Sequence, residues 1–224
     1  MNNERLYRQI YLKYQLGPAV HMTHINNIES IIRDGELRSF NLMAQTKYES
    51  LANEDVQRGR ANKTIPPTKR PLHDYVPLYF GNRTPMVAWN QERNEEMVFM
   101  RFSLNIFARG DIVFTDGNAR SSVTVFRVYS QVTDLEILDR KAINTVKYAN
   151  NPELKRRKQA EILVPDKLPL TYLVDFICYS ENAKWSLLET LKHCDKKYNV
   201  QVLPGSWYFR SQAETKLVKG SQTP

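Results

Sequence analysis

Leu72-His73-Asp74-Tyr75-Val76-Pro77-Leu78-Tyr79-Phe80 is the stretch on which the architecture turns. Residues 75–80 are apolar and aromatic, and this reads as a buried strand. His73-Asp74 can fix the loop before it, while Tyr75, Tyr79 and Phe80 can stack on a planar ring or fill the core. Outward from this stretch, strands are expected at 19–23, 97–104, 112–115, 161–164, 174–179 and 200–203. One helix is expected over 3–15 through Leu6, Ile10 and Leu12. A second starts at Asn26 or Asn27, carries Ile28, Ile31 and Ile32, and stops at Gly35. A third, at 182–193, places Trp185, Leu188 and Leu191 on one face. Residues 41–71 read as a helix or ordered turn followed by a long loop, and 147–158 as a mobile basic loop after short helical turns at 135–139 and near Ile143. Strands cluster in the middle and at the end, with the clearest helices near both ends, so the class is α+β rather than alternating α/β.

At 224 residues, with 42% hydrophobic and 25% charged residues, the chain can bury one substantial core. No Gly/Ser linker divides it. The expected organisation is a helical extension at 1–18, one domain at 19–210 and a polar tail at 211–224. The net charge of +8 suits a polyanionic partner. No apolar run reaches the roughly 20 residues of a membrane helix. The N-terminus MNNERLYRQIYLKYQLG lacks the apolar middle of a secretory signal, so a cytoplasmic location and no membrane partner are expected. Cys178 and Cys194 read as reduced thiols without metal spacing. Phosphate-binding loops, G-x-G-x-x-G, a nucleophile elbow and zinc-type His/Cys sets are all absent, which removes those chemistries and leaves no metal to expect.

Glu161 follows Lys158-Gln159-Ala160 and opens an apolar stretch, a carboxylate at the mouth of a strand behind Lys155, Arg156, Arg157 and Lys158. Taken alone, it reads as a solvated group balancing those cations. His21 and Thr23 share one strand face, which suits hydrogen bonds to a ribose or an amide as well as a structural role.

Together these segments resemble a known fold. The run His21-x-Thr23, Asn27, Ile31-Ile32, Gly35 and Leu37 resembles the first strand–helix unit of the ADP-ribosyltransferase fold. Tyr79-Phe80 and Glu161 fall where its diphtheria-toxin-like branch has a Tyr-Phe strand and the catalytic glutamate. A closer resemblance runs over residues 19–210, through 72–80, Pro85-Met86, Val113-Phe114-Thr115-Asp116, Gln159-Ala160-Glu161, Ile177-Cys178-Tyr179-Ser180 and Trp207-Tyr208-Phe209. These residues resemble the DarT family of bacterial toxins that ADP-ribosylate DNA bases.

The resemblance implies a split mixed/antiparallel β-sheet core with flanking helices. NAD is the implied co-substrate, contacted by His21, Thr23, His24, Asn27, Arg60, Tyr79 and Phe80. It makes Glu161 the catalytic carboxylate. Arg60, aligned through the Pro and Leu-His-Asp that follow it, becomes a second catalytic group, with Arg58 as its competitor. It also implies an acceptor groove formed by Arg58, Lys147, Tyr148, Lys155, Arg156, Arg157 and Lys158. The implied acceptor is thymine in single-stranded DNA, with guanine or RNA as alternatives. The implied protein partner is a macrodomain antitoxin. A more distant alternative is a non-catalytic nucleic-acid-binding module, which needs no such set as His21, Thr23, Tyr79, Phe80 and Glu161.

Overall fold

The computed structural model describes residues 3–210; the tail expected at 211–224 lies outside them. The strands are β1 (Ala19–His24), β2 (Glu36–Arg38), β3 (Thr64–Ile65), β4 (Arg70–Pro71), β5 (Tyr75–Tyr79) and β6 (Met97–Phe102). They continue with β7 (Val113–Thr115), β8 (Phe126–Val128), β9 (Glu161–Pro165), β10 (Lys167–Pro169), β11 (Leu173–Cys178) and β12 (Asn199–Val202). The α-helices are α1 (Asn3–Tyr14), α2 (Ile28–Asp34), α3 (Glu54–Ala61) and α4 (Pro85–Trp89). The rest are α5 (Arg140–Asn144), α6 (Pro152–Arg157), α7 (Glu181–Leu191) and α8 (Pro204–Trp207).

Eight strands form one mixed sheet in the order β12-β11-β6-β1-β5-β9-β7-β8, with β2/β10 and β3/β4 as separate small pairs. Every neighbouring pair of the large sheet is antiparallel except β11/β12, which α7 connects as a crossover. The sheet parts in its middle. β1 pairs β6 through all six of its residues but meets β5 only at Val20↔Tyr79. β5 in turn pairs β9 over its whole length, from Tyr75↔Pro165 to Tyr79↔Glu161.

Pro77 explains why β5 tolerates the parting. The Phe80 N–H donates to Ala160 O on the β9 side, so strand alternation turns Pro77 toward β1. Proline has no N–H to lose there, and its carbonyl takes the ring N–H of His21 Nδ1 at 3.0 Å instead.

Val76, Leu78 and Phe80 enter the main core with Ile162, Val164, Phe107 and Phe114. Phe80 lies 6.4 Å from the Phe107 ring and 6.5 Å from that of Phe114. Tyr79, one residue earlier, faces the opposite side. Phe80 is therefore a core residue, which corrects its expected contact with a cofactor.

Other expectations change for similar reasons. In α1 the buried stripe is Leu6, Ile10 and Tyr14, while Leu12 is 69% exposed because it lies on the outer side of that stripe. The stripe belongs to the main core, so this helix is docked on the domain. In α7 the inner stripe is Ala183, Leu187 and Leu191, and Trp185 is 65% exposed. α2 does end at Gly35, whose φ of +69° is the left-handed conformation of a helix stop. Asn27 is its N-cap residue, as expected, but without a side-chain cap bond. His24 Nδ1 accepts the Asn26 N–H and starts the 3-10 turn at 25–27 that leads into it. Within 41–71 the expected helix is α3, capped by Asn53, and the loop expected after it holds the short β3/β4 pair. The basic loop expected at 147–158 contains α6, capped by Asn151 with Pro152 at its first position. Among the described residues, no helix is long and apolar enough to cross a membrane.

Phe80→Ala is expected to destabilise the protein by about 3–5 kcal/mol, read by urea denaturation. Phe80→Leu is expected to retain NAD affinity, as measured by calorimetry.

Candidate active site

Where β1 and β5 part, a cavity of about 570 Å³ opens, within the range of small-molecule sites. Its walls include His21, Thr23, His24 and Asn27 on one side and Arg60 and Tyr79 on the other. Glu161 lies behind Arg60, only 1% exposed, at the first position of β9.

Four elements hold Glu161. The Arg60 guanidinium donates to both carboxylate oxygens through Nη1, at 3.0 and 3.2 Å. The Ala119 N–H donates to Oε1 at 2.9 Å. The Glu161 backbone N–H donates to Thr115 Oγ1 at 2.9 Å. Tyr79 sits directly opposite Glu161 across the β5/β9 pair. Burial pushes the Tyr79 phenol well up, the nearby Glu161 charge adds to this, and Arg60 opposes both. Tyr79 is thus a neutral hydroxyl beside an ion pair.

α3 explains how Arg60 arrives. The Asn53 side chain accepts the Asp55 and Val56 N–H groups and starts the helix. Gln57 and Arg60, three apart, then share one face. Gln57 Oε1 takes the ring N–H of His73 Nε2 at 3.2 Å, and the His73 ring lies 4.3 Å from that of Phe40. Burial lowers the His73 pKa, and the adjacent Arg60 charge lowers it further against a smaller opposing effect of Asp74. The neutral imidazole docks α3 without a second cation beside Arg60. Arg58 faces away, exposed and paired with Asp55, so it does not compete for the site.

On the opposite wall, a carbonyl can only accept, so the His21 contact with Pro77 O fixes the proton on Nδ1 and leaves Nε2 as an acceptor. Burial lowers the His21 pKa more than this bond raises it, which keeps the ring neutral near pH 7. Asn27 is fully engaged. Its Nδ2 donates to Thr23 Oγ1 at 3.1 Å and Glu49 O at 2.9 Å, and its Oδ1 accepts the Glu49 N–H at 2.8 Å. Asn90 Nδ2 donates to Leu51 O at 2.9 Å, so two asparagines pin the 49–51 segment at the cleft. Both ring nitrogens of His24 are taken, by Asn26 N–H and by Glu96. Thr23, His24 and Asn27 therefore shape the wall with polar groups turned toward the protein, and His21 keeps the open acceptor.

The basic run does not form the expected groove. Of that set only Lys155 lines the cavity, and Lys147 is exposed elsewhere. Tyr148 is buried against Phe209 and Lys158, its phenol pushed up to about 12 by burial. Arg157 pairs with Glu153 at 2.7 Å, and Arg156 is buried between Glu153 and Asp116. Lys158 is 1% exposed, donates to Ile143 O at 3.0 Å, and is pushed down to about 8 by burial. The helical turn of α6 alternates these cations between solvent and interior, which a loop would not do. Sequence inspection missed Gln57, Asn118, Gln159 and the Ala119 amide. The Asp116-Gly117 pair signals a turn after β7, but not that its amide reaches Glu161. Among the described residues, no cluster of three or more His, Cys, Asp or Glu side chains suits a metal ion.

A buried carboxylate beside a guanidinium, a neutral phenol and a neutral imidazole can orient hydroxyls and stabilise positive charge that develops nearby. Comparison with known proteins agrees with this chemistry. The family model "DarT: ssDNA thymidine ADP-ribosyltransferase, DarT" matches residues 20–209. A DNA ADP-ribosyl transferase of Thermus sp. (strain 2.9) is 29% identical over 201 residues, covering 86% of this chain and 96% of the relative. The solved structure of Thermus sp. 2.9 DarT in complex with ADP-ribosylated ssDNA is 30% identical with a TM-score of 0.80, covering 87% of this chain and 97% of that one. The same relative in complex with NAD+ gives a TM-score of 0.73 at 29% identity, over 85% and 97% of the two chains. A DNA ADP-ribosyl transferase-DNA ADP-ribosyl glycohydrolase fusion protein of Thermosipho africanus is 25% identical over 205 residues, covering 89% of this chain and 51% of the fusion.

Lys158 makes folding stability depend on pH in the alkaline range. Its folded value of about 8 lies below the ordinary 10.5, so the unfolded chain binds more protons between these values. Stability should rise from pH 8 to 10.5 through this group and be lost again as pH falls through that window. Lys158→Met is expected to flatten that rise relative to wild type in urea denaturation at stepped pH.

Proposed function

The chain belongs to the DarT family and is an NAD-dependent DNA ADP-ribosyltransferase, and we propose that its acceptor is thymine in single-stranded DNA. The observation that carries this reading is the ion pair of Arg60 with buried Glu161 at the parted strands, 3.0 Å long.

The reaction breaks the bond between the ribose C1′ and the nicotinamide nitrogen. Nicotinamide leaves neutral with the bonding pair, and the ribose becomes oxocarbenium-like. Glu161 would accept a hydrogen bond from the 2′-hydroxyl of that ribose and stabilise the cation most in the transition state. His21, with Nε2 open, and Tyr79, as a neutral phenol, are the cleft groups suited to hold NAD, alongside the wall that Thr23, His24 and Asn27 build. A ring N–H of the base gives its proton to water, and the nitrogen lone pair so freed bonds to C1′. Arg60 would stabilise the base anion as that proton leaves, since a guanidinium stays charged and cannot serve as the base. Lys147 and Lys155, exposed in this structure, are the cations of the basic run suited to strand phosphates.

In biological terms, the proposal is the toxin of a toxin–antitoxin pair, acting in the cytoplasm where NAD and DNA meet. The antitoxin is expected to be a macrodomain that removes the ADP-ribose. The Thermosipho africanus fusion, which joins a transferase to a DNA ADP-ribosyl glycohydrolase, supports a partner of that activity.

Incubation with labelled NAD and thymine-containing single strands, followed by mass spectrometry of the digested nucleotides, should place the label on thymine. Label on guanine or on RNA would overturn the acceptor. Glu161→Gln is expected to lower transfer by about a thousandfold without loss of folding. Arg58→Ala should stay within about twofold of wild type, since exposed ion pairs contribute little. Arg60→Ala should keep NAD hydrolysis while losing DNA modification; lost NAD binding would instead assign Arg60 to the pyrophosphate.

A further inference from the structure

Arg156, expected in the acceptor groove, has no donor to offer a strand. Its Nε donates to Glu153 Oε2 at 2.7 Å. Nη1 donates to Asp116 Oδ1 at 2.9 Å and Thr124 Oγ1 at 3.1 Å. Nη2 donates to Asp116 Oδ2 at 3.0 Å and Glu153 Oε1 at 2.8 Å. All five N–H groups of the guanidinium are thus used within the protein.

These bonds converge on the turn that follows β7. Asn118 N–H donates to the Arg156 carbonyl at 3.0 Å, and Asn118 Nδ2 to Gln159 Oε1 at 2.9 Å. Thr115 Oγ1, which accepts the Glu161 N–H, donates to Gly117 O at 2.6 Å. Gly117 is required by this closeness: a Cβ there would stand 2.4 Å from Arg156 Nη1 and 2.9 Å from the Arg156 carbonyl. The turn so clamped ends at Ala119, whose N–H meets Glu161 Oε1 at 2.9 Å.

We propose that Arg156 is a positioning residue for catalysis: it clamps the 116–119 turn onto α6 and so holds the Ala119 N–H on the Glu161 carboxylate. The inference rests on Glu161 being the catalytic carboxylate. Arg60 from α3 and Tyr79 from β5 are the titratable groups that face Glu161, and the turn adds its neutral amide to them. Loosening the turn removes one donor from the carboxylate and leaves Arg60 and Tyr79 in place.

Two variants of the full chain test this. Arg156→Met/Asp116→Leu removes both charges of the buried pair together, so neither remains unpaired, and Glu153 keeps Arg157. Gly117→Ala displaces the turn without removing any partner of the guanidinium. The expected result, in variants that unfold cooperatively in urea, is a fall in kcat of about tenfold. KM for NAD should stay within about twofold of wild type, so that the loss falls on kcat alone. A folded variant with wild-type kcat, or one whose loss falls on KM for NAD, overturns the proposal. If the double variant does not fold, Gly117→Ala decides alone. Wild-type protein that leaves NAD unconsumed would overturn the underlying assignment of Glu161 and this proposal with it.

Discussion

The parting of β1 from β5 after the single pair Val20↔Tyr79 is the constraint on which the rest of the structure depends. Two strands that separate inside a sheet leave backbone groups without ladder partners, and such groups are costly unless another donor or acceptor reaches them. At Pro77 the donor is absent by chemistry and the acceptor is taken by His21. At the end of the 3-10 turn that leaves β1, Asn27 engages both backbone polar groups of Glu49, as a neighbouring strand would. The cleft is therefore polar as a consequence of its construction. Groups that replace lost strand pairing are the same groups that line the site.

A second consequence concerns charge. The chain carries 32 Lys and Arg against 24 Asp and Glu, which suggests a basic surface. Several of those cations are instead internal. Arg60, Arg156 and Lys158 are each 9% exposed or less, and each finds acceptors within the protein. A buried ion pair adds little net stability, because desolvation offsets its attraction, but removing one partner is severe. What such pairs contribute here is geometry. Arg60 ties α3 to β9, and Arg156 ties α6 to the turn after β7. Both ties end at Glu161, one by a guanidinium and one by an amide that the guanidinium positions.

Much of this was legible in the sequence. The β-branched and aromatic runs gave β1, β5, β6, β9 and β11 with boundaries near those observed, and Gly35 marked the end of α2 as a left-handed stop. Glu161 at the head of a strand reads, taken alone, as a solvated carboxylate, whereas it is 1% exposed; only the residues that resemble a known family single it out. Parity was the first thing misjudged: Tyr79 and Phe80 are adjacent in a strand, so only one of them can face the cleft. The period of the basic run was the second. Read as a loop, residues 155–158 are interchangeable cations, whereas on a helix capped by Asn151 the turn sends Arg156 inward and leaves Lys155 outside. Long-range partners were beyond reach for a physical reason. The Ala119 N–H and the Glu161 carboxylate are 42 residues apart, and a backbone amide carries no side-chain signature that would announce its role.

The position of Arg60 bears on how the site works. Glu161 is nearly inaccessible because the guanidinium covers it, with both carboxylate oxygens engaged. A ribose hydroxyl that is to donate to this carboxylate has to share or displace that contact. On the proposed chemistry, the displaced guanidinium would lie within the cleft, where the base anion forms. The pair would then separate as substrates arrive, each charge moving from its partner to the ligand whose opposite charge it stabilises. The clamp from Arg156 gives this exchange a fixed end. The Ala119 amide holds Glu161 on β9, while Arg60, carried on the separate helix α3, would be the member that shifts.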